Sequence, residues 1–118
     1  MKLADRDLRV ARKLMADETD WGFSVACNAA LQAGRALMFA RGYRPASAEG
    51  HKNTFAFLAA ALGPEHADLV SYFDRMRNKR NQAVYGMAGR IAETEARHLL
   101  SKTTDFVRLV KRLVKGGA

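Results

Sequence analysis

Apolar residues recur at helical spacing along almost the whole chain. Near the N-terminus, Leu8, Ala11, Leu14 and Met15 follow the three- and four-residue steps that place side chains on one helix face. No stretch shows the alternation of β-branched and polar residues that is typical of strands. The pattern predicts helices over about residues 5–16, 21–41, 51–62, 65–85 and 93–114.

Short breaking segments separate the predicted helices. The stretch ADETD ends the first helix and offers Asp17 or Thr19 as the N-cap of the second. Gly42, the pair Gly63-Pro64 and Gly86 then stop the next three helices. We therefore expect one all-α domain over residues 1–118: an antiparallel up-and-down bundle of four long helices plus a short one at about 51–62.

The second predicted helix is apolar on most sides, as expected of a central helix with several neighbours. Ala26, Ala30 and Gly34 recur every four residues, so another backbone could approach closely along that line. Polar residues such as Asn28 interrupt the apolar stretch 21–40, which favours a core helix over a membrane span. The charged N-terminus also lacks the apolar centre of a signal peptide, so we expect a cytoplasmic protein.

Composition limits the chemistry. The single cysteine, Cys27, allows neither an intrachain disulfide nor a cysteine metal cluster, and its apolar surroundings predict an inert buried thiol. The sequence contains no metal-binding motif and no glycine loop for phosphates, so we expect no metal and no cofactor. The net charge of +8 favours a polyanionic partner such as RNA, DNA or an acidic protein surface.

The basic segment RMRNKRNQAVYG, residues 75–86, divides when it is placed on a helix. At about 100° per residue, Arg80 falls inside the apolar stripe that includes Leu69, and Arg77 borders it. Arg75 and Lys79 lie to one side, where solvent is expected. A buried arginine needs a partner. Two hypotheses remain open for Arg80: an internal ion pair, with Asp20 or Glu49 as the acid, or a cleft in which it binds a phosphate.

The segment RNQAVY near the end of a helix, preceded by ARGYRPASAEGHKNTFAFLAAALG and followed by a long amphipathic helix, resembles the HEPN superfamily (higher eukaryotes and prokaryotes nucleotide-binding). The resemblance covers about residues 21–114. It implies a helical bundle that dimerises about a twofold axis. Many members are metal-independent endoribonucleases with an R-x4-6-H motif at the dimer cleft. Others bind nucleotides or pair with a small nucleotidyltransferase in toxin–antitoxin modules.

Carried over residue by residue, the resemblance matches the family arginine to Arg80 and the polar residue after it to Asn81. No histidine follows at the family's spacing, and Tyr85 stands at the commonest position. Metal-free RNA cleavage needs an acid and a base that titrate near neutral pH, which histidine provides and tyrosine, with an ordinary pKa of about 10, does not. Tyrosine can still bind a phosphate or stack on a base.

The sequence therefore predicts a HEPN-like module, working as a homodimer, that binds RNA, a nucleotide or a protein partner such as a nucleotidyltransferase. Its predicted contacts are Arg80, Asn81, Tyr85 and Arg77, with weaker candidates at His51, Tyr43 and Arg44. Two alternatives remain: a metal-independent endoribonuclease that uses Arg80 at the dimer cleft, and a purely structural dimerisation domain.

Overall fold

Five α-helices and one short 3-10 helix form the part of the chain that the computed structural model describes, residues 2–42, 50–85 and 91–116. Side chains are described for residues 2–42, 54–80 and 91–115. The helices are α1 (Lys2–Leu14), α2 (Thr19–Ala40), α3 (Gly50–Leu62), the 3-10 helix (Pro64–His66), α4 (Ala67–Tyr85) and α5 (Glu93–Gly116). The predicted all-α fold and its helix order are confirmed.

Four of the helices alternate in direction. Their directions follow from contacts that join the end of one helix to the start of its neighbour. Gly22 near the start of α2 lies against the backbone of Met15, just after α1. Lys79 near the end of α4 binds Glu95 near the start of α5. Likewise, Lys111 near the end of α5 binds Asp5 near the start of α1. Together with the contacts between late α4 and early α2 described below, these make α1, α2, α4 and α5 an up-and-down bundle.

The helix ends follow the predicted glycines but not the predicted cap. Gly42 and Gly63 have φ angles of +85° and +75°, which glycine adopts at little cost, and they end α2 and α3. The N-cap of α2 is Glu18, not Asp17 or Thr19, and its side chain makes no capping bond. Thr19 is already the first residue of α2, and its hydroxyl donates to the carbonyl oxygen of Met15 at 3.0 Å. Gly86 lies outside the described residues.

α2 is the central helix and buries the largest share of its surface. Phe23, Ala26, Ala30, Ala33 and Leu37 are all nearly inaccessible to solvent. α3, which at 13 residues is as long as α1 and not shorter as predicted, crosses α2 at Gly34, where a Cβ atom would lie 2.9 Å from Leu58 Cδ1 and 3.1 Å from Thr54 Cγ2. A close approach along this line thus occurs at Gly34, but the incoming atoms are side-chain atoms of α3 and not the predicted backbone.

α3 and α4 form a hairpin beside α2. The 3-10 helix turns the chain, so that Phe55 near the start of α3 comes close to Arg77 in the second half of α4. Phe73 of α4 in turn packs on Phe106 of α5, with ring centroids 5.0 Å apart. None of the helices within the described ranges has the length and hydropathy needed to cross a membrane.

Candidate functional site

A narrow pocket opens between α2, α3 and α4, and it contains both arginines that the helical angles single out. It is lined by Cys27, Ala30, Leu31, Phe55, Phe73, Met76, Arg77 and Arg80. The enclosed volume is about 10 Å³, room for about one water molecule. A nucleotide cannot enter so small a space, so a larger ligand would lie across the mouth of the pocket.

Arg80 connects α4 to α2. Its side chain is partly buried on the apolar side of α4, as the angular analysis predicts, and its Nε donates a hydrogen bond to Ser24 Oγ at 3.0 Å. None of the ion pairs that the described residues form with one another includes Arg80. The predicted pair with Asp20 is therefore not among them, and Glu49 lies outside the described residues. A neutral hydroxyl anchors the guanidinium without cancelling its charge.

Arg77 lies beside Arg80 on the same pocket wall, as predicted from its border position. Its Nη2 forms an ion pair with Asp74 Oδ1 at 2.9 Å, one turn earlier on α4. The guanidinium carbon also stands 5.9 Å from the centre of the Phe55 ring, a cation–π distance. Its neighbour Asp74 offsets part of its charge, which leaves Arg80 as the stronger candidate for binding an anion.

Cys27 is buried in the pocket wall, as the sequence predicts. Its thiol lies 3.8 Å from the carbonyl oxygen of Met76 and connects α2 to α4 a turn away from the Arg80 contact. Burial raises the pKa of the Cys27 thiol to about 12, although the positive charge of Arg80 acts in the opposite direction. At neutral pH the group is a thiol rather than a nucleophilic thiolate.

The two outer cations of the basic segment behave differently from each other. Arg75 is exposed, as predicted, with its guanidinium 6.0 Å from the centre of the Tyr72 ring. Lys79 was expected in solvent, but it binds Glu95 of α5 at 2.6 Å. The Lys79 side chain is still 39% exposed, but its ion pair was not predicted, because the start of α5 packs beside the end of α4, a tertiary contact that helical angles cannot reveal.

The other predicted contacts are only partly described. α4 extends to Tyr85, so the backbones of Asn81 and Tyr85 are helical, while their side chains lie outside the described residues. His51 belongs to α3, and its side chain too lies outside them. Tyr43 and Arg44 fall in the undescribed range 43–49. The structure thus brings together Arg77 and Arg80 and leaves the remaining candidates as predictions.

The sequence analysis missed three residues of the site: Ser24, Phe55 and Asp74. Ser24 gave little signal, because at about 100° per residue it lies within about 40° of the polar residues Asn28 and Arg35, and only the packing of the bundle buries it. Phe55 gave none, because only the fold brings it to Arg77. Among the described residues, no group of three or more histidine, cysteine, aspartate or glutamate side chains could hold a metal ion.

Comparison with known families decides what kind of domain carries this site. A family model of the HEPN type matches residues 14–111, which is most of the chain. The chain belongs to the HEPN family. The match includes α2, α3 and α4 in full and α5 as far as residue 111, and therefore every residue that lines the pocket. Searches of curated proteins and of solved structures gave no match.

Proposed function

We propose that this HEPN domain is a binding module that presents Arg80, flanked by Arg77, to a phosphate group of RNA or of a nucleotide. The observation that carries the proposal is the placement of two guanidinium groups on the wall of one pocket. Arginine suits this role because its planar fork binds a phosphate at two points and stays charged at any physiological pH. Since the pocket holds about one water, the phosphate would bind at its mouth.

Binding without efficient cleavage is the favoured activity. Cleavage of RNA without metal requires groups that exchange protons near neutral pH. The thiol at this site, Cys27, has a pKa of about 12, and Tyr85 stands where the active ribonucleases of the family carry histidine. Incubating the purified protein with total RNA and a chelator tests the alternative. RNA fragments that appear with the native protein but not with Arg80→Ala would contradict the proposal in favour of an endoribonuclease.

Two binding measurements distinguish RNA from a free nucleotide as the ligand. Isothermal titration with ATP measures binding of a single nucleotide, while anisotropy of a labelled RNA measures binding of a strand. A strand contacts several cations, so its affinity should fall with added salt more steeply than that of the mononucleotide. The steeper fall supports RNA as the ligand, and equal salt dependence supports a nucleotide.

A homodimer is the second part of the proposal, and the outer side of α2 supports it. This outer α2 face consists of Trp21, Val25, Asn28, Gln32, Arg35 and Phe39, with Trp21 63% and Phe39 42% exposed. The positions are symmetric about residue 30: Trp21 and Phe39 lie nine residues to either side of it, and Asn28 and Gln32 lie two. When two copies of a helix pair antiparallel about a twofold axis, each residue meets its mirror position.

Two of the three facing pairs would be chemically matched, while Val25 would face Arg35 of the second copy. Trp21 would face Phe39 of the second copy, two aromatic rings, and Asn28 would face Gln32, two amides. The acidic residues Asp17 and Glu18 before α2 would lie near Arg41 at its other end. The twofold axis would put both arginine pockets on the same side of the dimer, with the two Ser24 anchors about 18 Å apart along the helices.

Light scattering coupled to gel filtration tests the dimer. The native protein should elute as a dimer, and Trp21→Lys, with Phe39→Lys as a second variant, should shift it to a monomer. Val114→Lys, at an exposed position of α5, is the matched control and should leave the dimer intact. A native monomer, or a dimer that survives both α2 changes, would contradict this part.

Some members of the family pair with small nucleotidyltransferases in modules of the toxin–antitoxin type. The third part of the proposal is that this protein binds such a partner. The same site would then be masked by that partner. Co-expression with a nucleotidyltransferase from a neighbouring gene, followed by co-purification of native protein and of Arg80→Ala, tests this. A complex that forms with the native protein and weakens with the variant supports it.

A further inference from the structure

Most of the chain's excess positive charge lies away from the arginine pocket. α1 and α5 together carry eleven Lys and Arg residues and five Asp and Glu, a net charge of +6 out of the +8 of the whole chain. α4, which supplies Arg77 and Arg80, carries four basic and two acidic residues, a net charge of +2. The charge that favours a polyanionic partner is thus concentrated on a different pair of helices.

These two helices enclose an open groove. Its walls are Arg12 of α1 and, from α5, Arg97, Leu100, Ser101, Thr104, Asp105 and Arg108, around a volume of about 360 Å³. We call it the α1–α5 groove. In the bundle, α1 contacts α2 and α5, while α4 contacts α2 and meets α5 through Lys79–Glu95 and Phe73–Phe106. The α1–α5 groove therefore lies on the side opposite the pocket between α2 and α4.

The arginines of the groove form only weak ion pairs with other described residues of the protein, or none. Arg97 pairs with Glu93 and Arg108 with Asp105, each within one turn of α5, and all four side chains are more than half exposed. Exposed pairs of this kind contribute little, and an incoming anion readily replaces the acid. Arg12 takes part in none of the ion pairs formed among the described residues.

The chemistry of the groove fits a phosphate backbone better than a lipid surface. Three arginine forks and the exposed hydroxyl of Ser101 are suited to phosphate oxygens. Binding to a membrane surface also needs apolar side chains that enter the lipid. The exposed apolar residues of α1, Leu3 and Val10, lie on its opposite face, and Leu3 lines a separate groove beside α2.

We propose that the α1–α5 groove is a second phosphate-contact surface, which binds the backbone of an RNA strand through Arg12, Arg97 and Arg108 on the side of the bundle opposite the arginine pocket. The inference stands on the charge distribution and the groove, and it does not require that Arg80 bind RNA. It assigns most of the salt-dependent part of RNA affinity to α1 and α5.

The test compares two triple variants with the same loss of charge. The groove variant carries Arg12→Gln, Arg97→Gln and Arg108→Gln; the control carries Arg6→Gln, Arg41→Gln and Arg75→Gln, three exposed arginines outside the groove. Fluorescence anisotropy measures the Kd of each full-length protein for a labelled single-stranded RNA over a series of salt concentrations. Each lost phosphate contact should reduce the slope of log Kd against log salt by about 0.7.

For the groove variant we expect a slope shallower by about two and an affinity at least about tenfold lower at low salt. The control should change the slope by less than about one. Equal effects of the two triples would overturn the inference, because the contribution would then be non-specific charge. Anionic vesicles of phosphatidylserine in phosphatidylcholine serve as the second probe. Loss of vesicle binding in the groove variant, with RNA binding unchanged, would also overturn it.

A measurement on the native protein avoids the problem that a misfolded variant would also lose RNA binding. Phenylglyoxal modifies exposed arginines, and mass spectrometry locates the products. RNA should protect Arg12, Arg97 and Arg108 but not Arg6 or Arg75; the reverse pattern would overturn the inference. Arg80→Ala in the same anisotropy series separates this inference from the proposed function, since the two surfaces are altered by different variants.

Discussion

Arg80 of α4 donates a hydrogen bond to Ser24 of α2, with 3.0 Å between Nε and Oγ. The bond uses one of the five N–H donors of the guanidinium, and the acceptor is neutral. It therefore fixes the direction of the side chain while the positive charge persists. A single buried serine of α2 thus orients the arginine that the family motif supplies.

Replacing this serine should weaken both stability and binding. Ser24→Ala removes the acceptor, and because the bond is partly buried the free energy of unfolding should fall by about 1 kcal/mol. Affinity for RNA should fall several-fold, since the arginine is no longer held in place. Urea unfolding and anisotropy measure the two effects. Ser71→Ala on the exposed side of α4 is the matched control; a change of similar size there would count against a specific role for Ser24.

The crossing of α3 over α2 should not tolerate a methyl group at Gly34. Alanine favours a helix by about 1 kcal/mol over glycine, but its Cβ would lie 2.9 Å from Leu58 Cδ1. Leu58 and Thr54 are fully buried, so a rotation of either side chain away from the methyl group must displace other core side chains. The clash should exceed the gain in helix propensity and lower the free energy of unfolding by about 1 kcal/mol or more. A Gly34→Ala protein that unfolds at higher urea than the native protein would show that α3 sits less tightly.

Stability should decline at alkaline pH, in part through Cys27. Burial raises the pKa of its thiol from 9.0 to about 12, so the folded state holds the proton more tightly than the unfolded state. The resulting stability is complete below pH 9 and is lost as the pH rises toward 12. Burial raises the pKa of Tyr72 in the same direction. Between pH 9 and 11, native protein should lose up to about 2 kcal/mol more than Cys27→Ala. Parallel pH curves of unfolding free energy for the two proteins would contradict this.

The contact between Lys79 and Glu95 should contribute modestly and depend on salt. The side chains are 39% and 32% exposed, so their 2.6 Å ion pair is partly screened by water. Glu95→Gln should lower the free energy of unfolding by about 0.5–1 kcal/mol at low salt, and the loss should shrink at high salt. Thermal unfolding at two salt concentrations measures it. Glu93→Gln, in a more exposed pair within α5, should cost less.

The helices could be predicted from the sequence because local patterns of residues determine where they begin and end. Helical spacing and glycine stops define the helices to within a few residues, and the four-residue repeat ending at Gly34 marks the position where α3 packs. The N-cap of α2 was missed, because Asp17 and Thr19 have suitable side chains but the chain enters the helix at Glu18.

The site was accessible only in part. The inward position of Arg80 follows from helical angles alone, and the family resemblance selects the same residue. Its partner could not be inferred, because Ser24 lies 56 residues away and two acids, Asp20 and Glu49, seemed better suited by charge. The ion pair of Lys79 was missed for the same reason, since Glu95 meets it only after α4 and α5 pack together.

Anisotropy of a labelled single-stranded RNA tests the central claim most directly, with native protein compared with Arg80→Ala and with Arg75→Ala. Both variants lose one charge from α4, but only Arg80 lines the pocket. We predict that Arg80→Ala raises the Kd about tenfold or more, while Arg75→Ala changes it by less than about threefold. Equal affinities of the two variants would contradict the claim. If, in addition, Arg80→Ala lowered the melting temperature sharply and Arg75→Ala did not, the role of Arg80 would be structural.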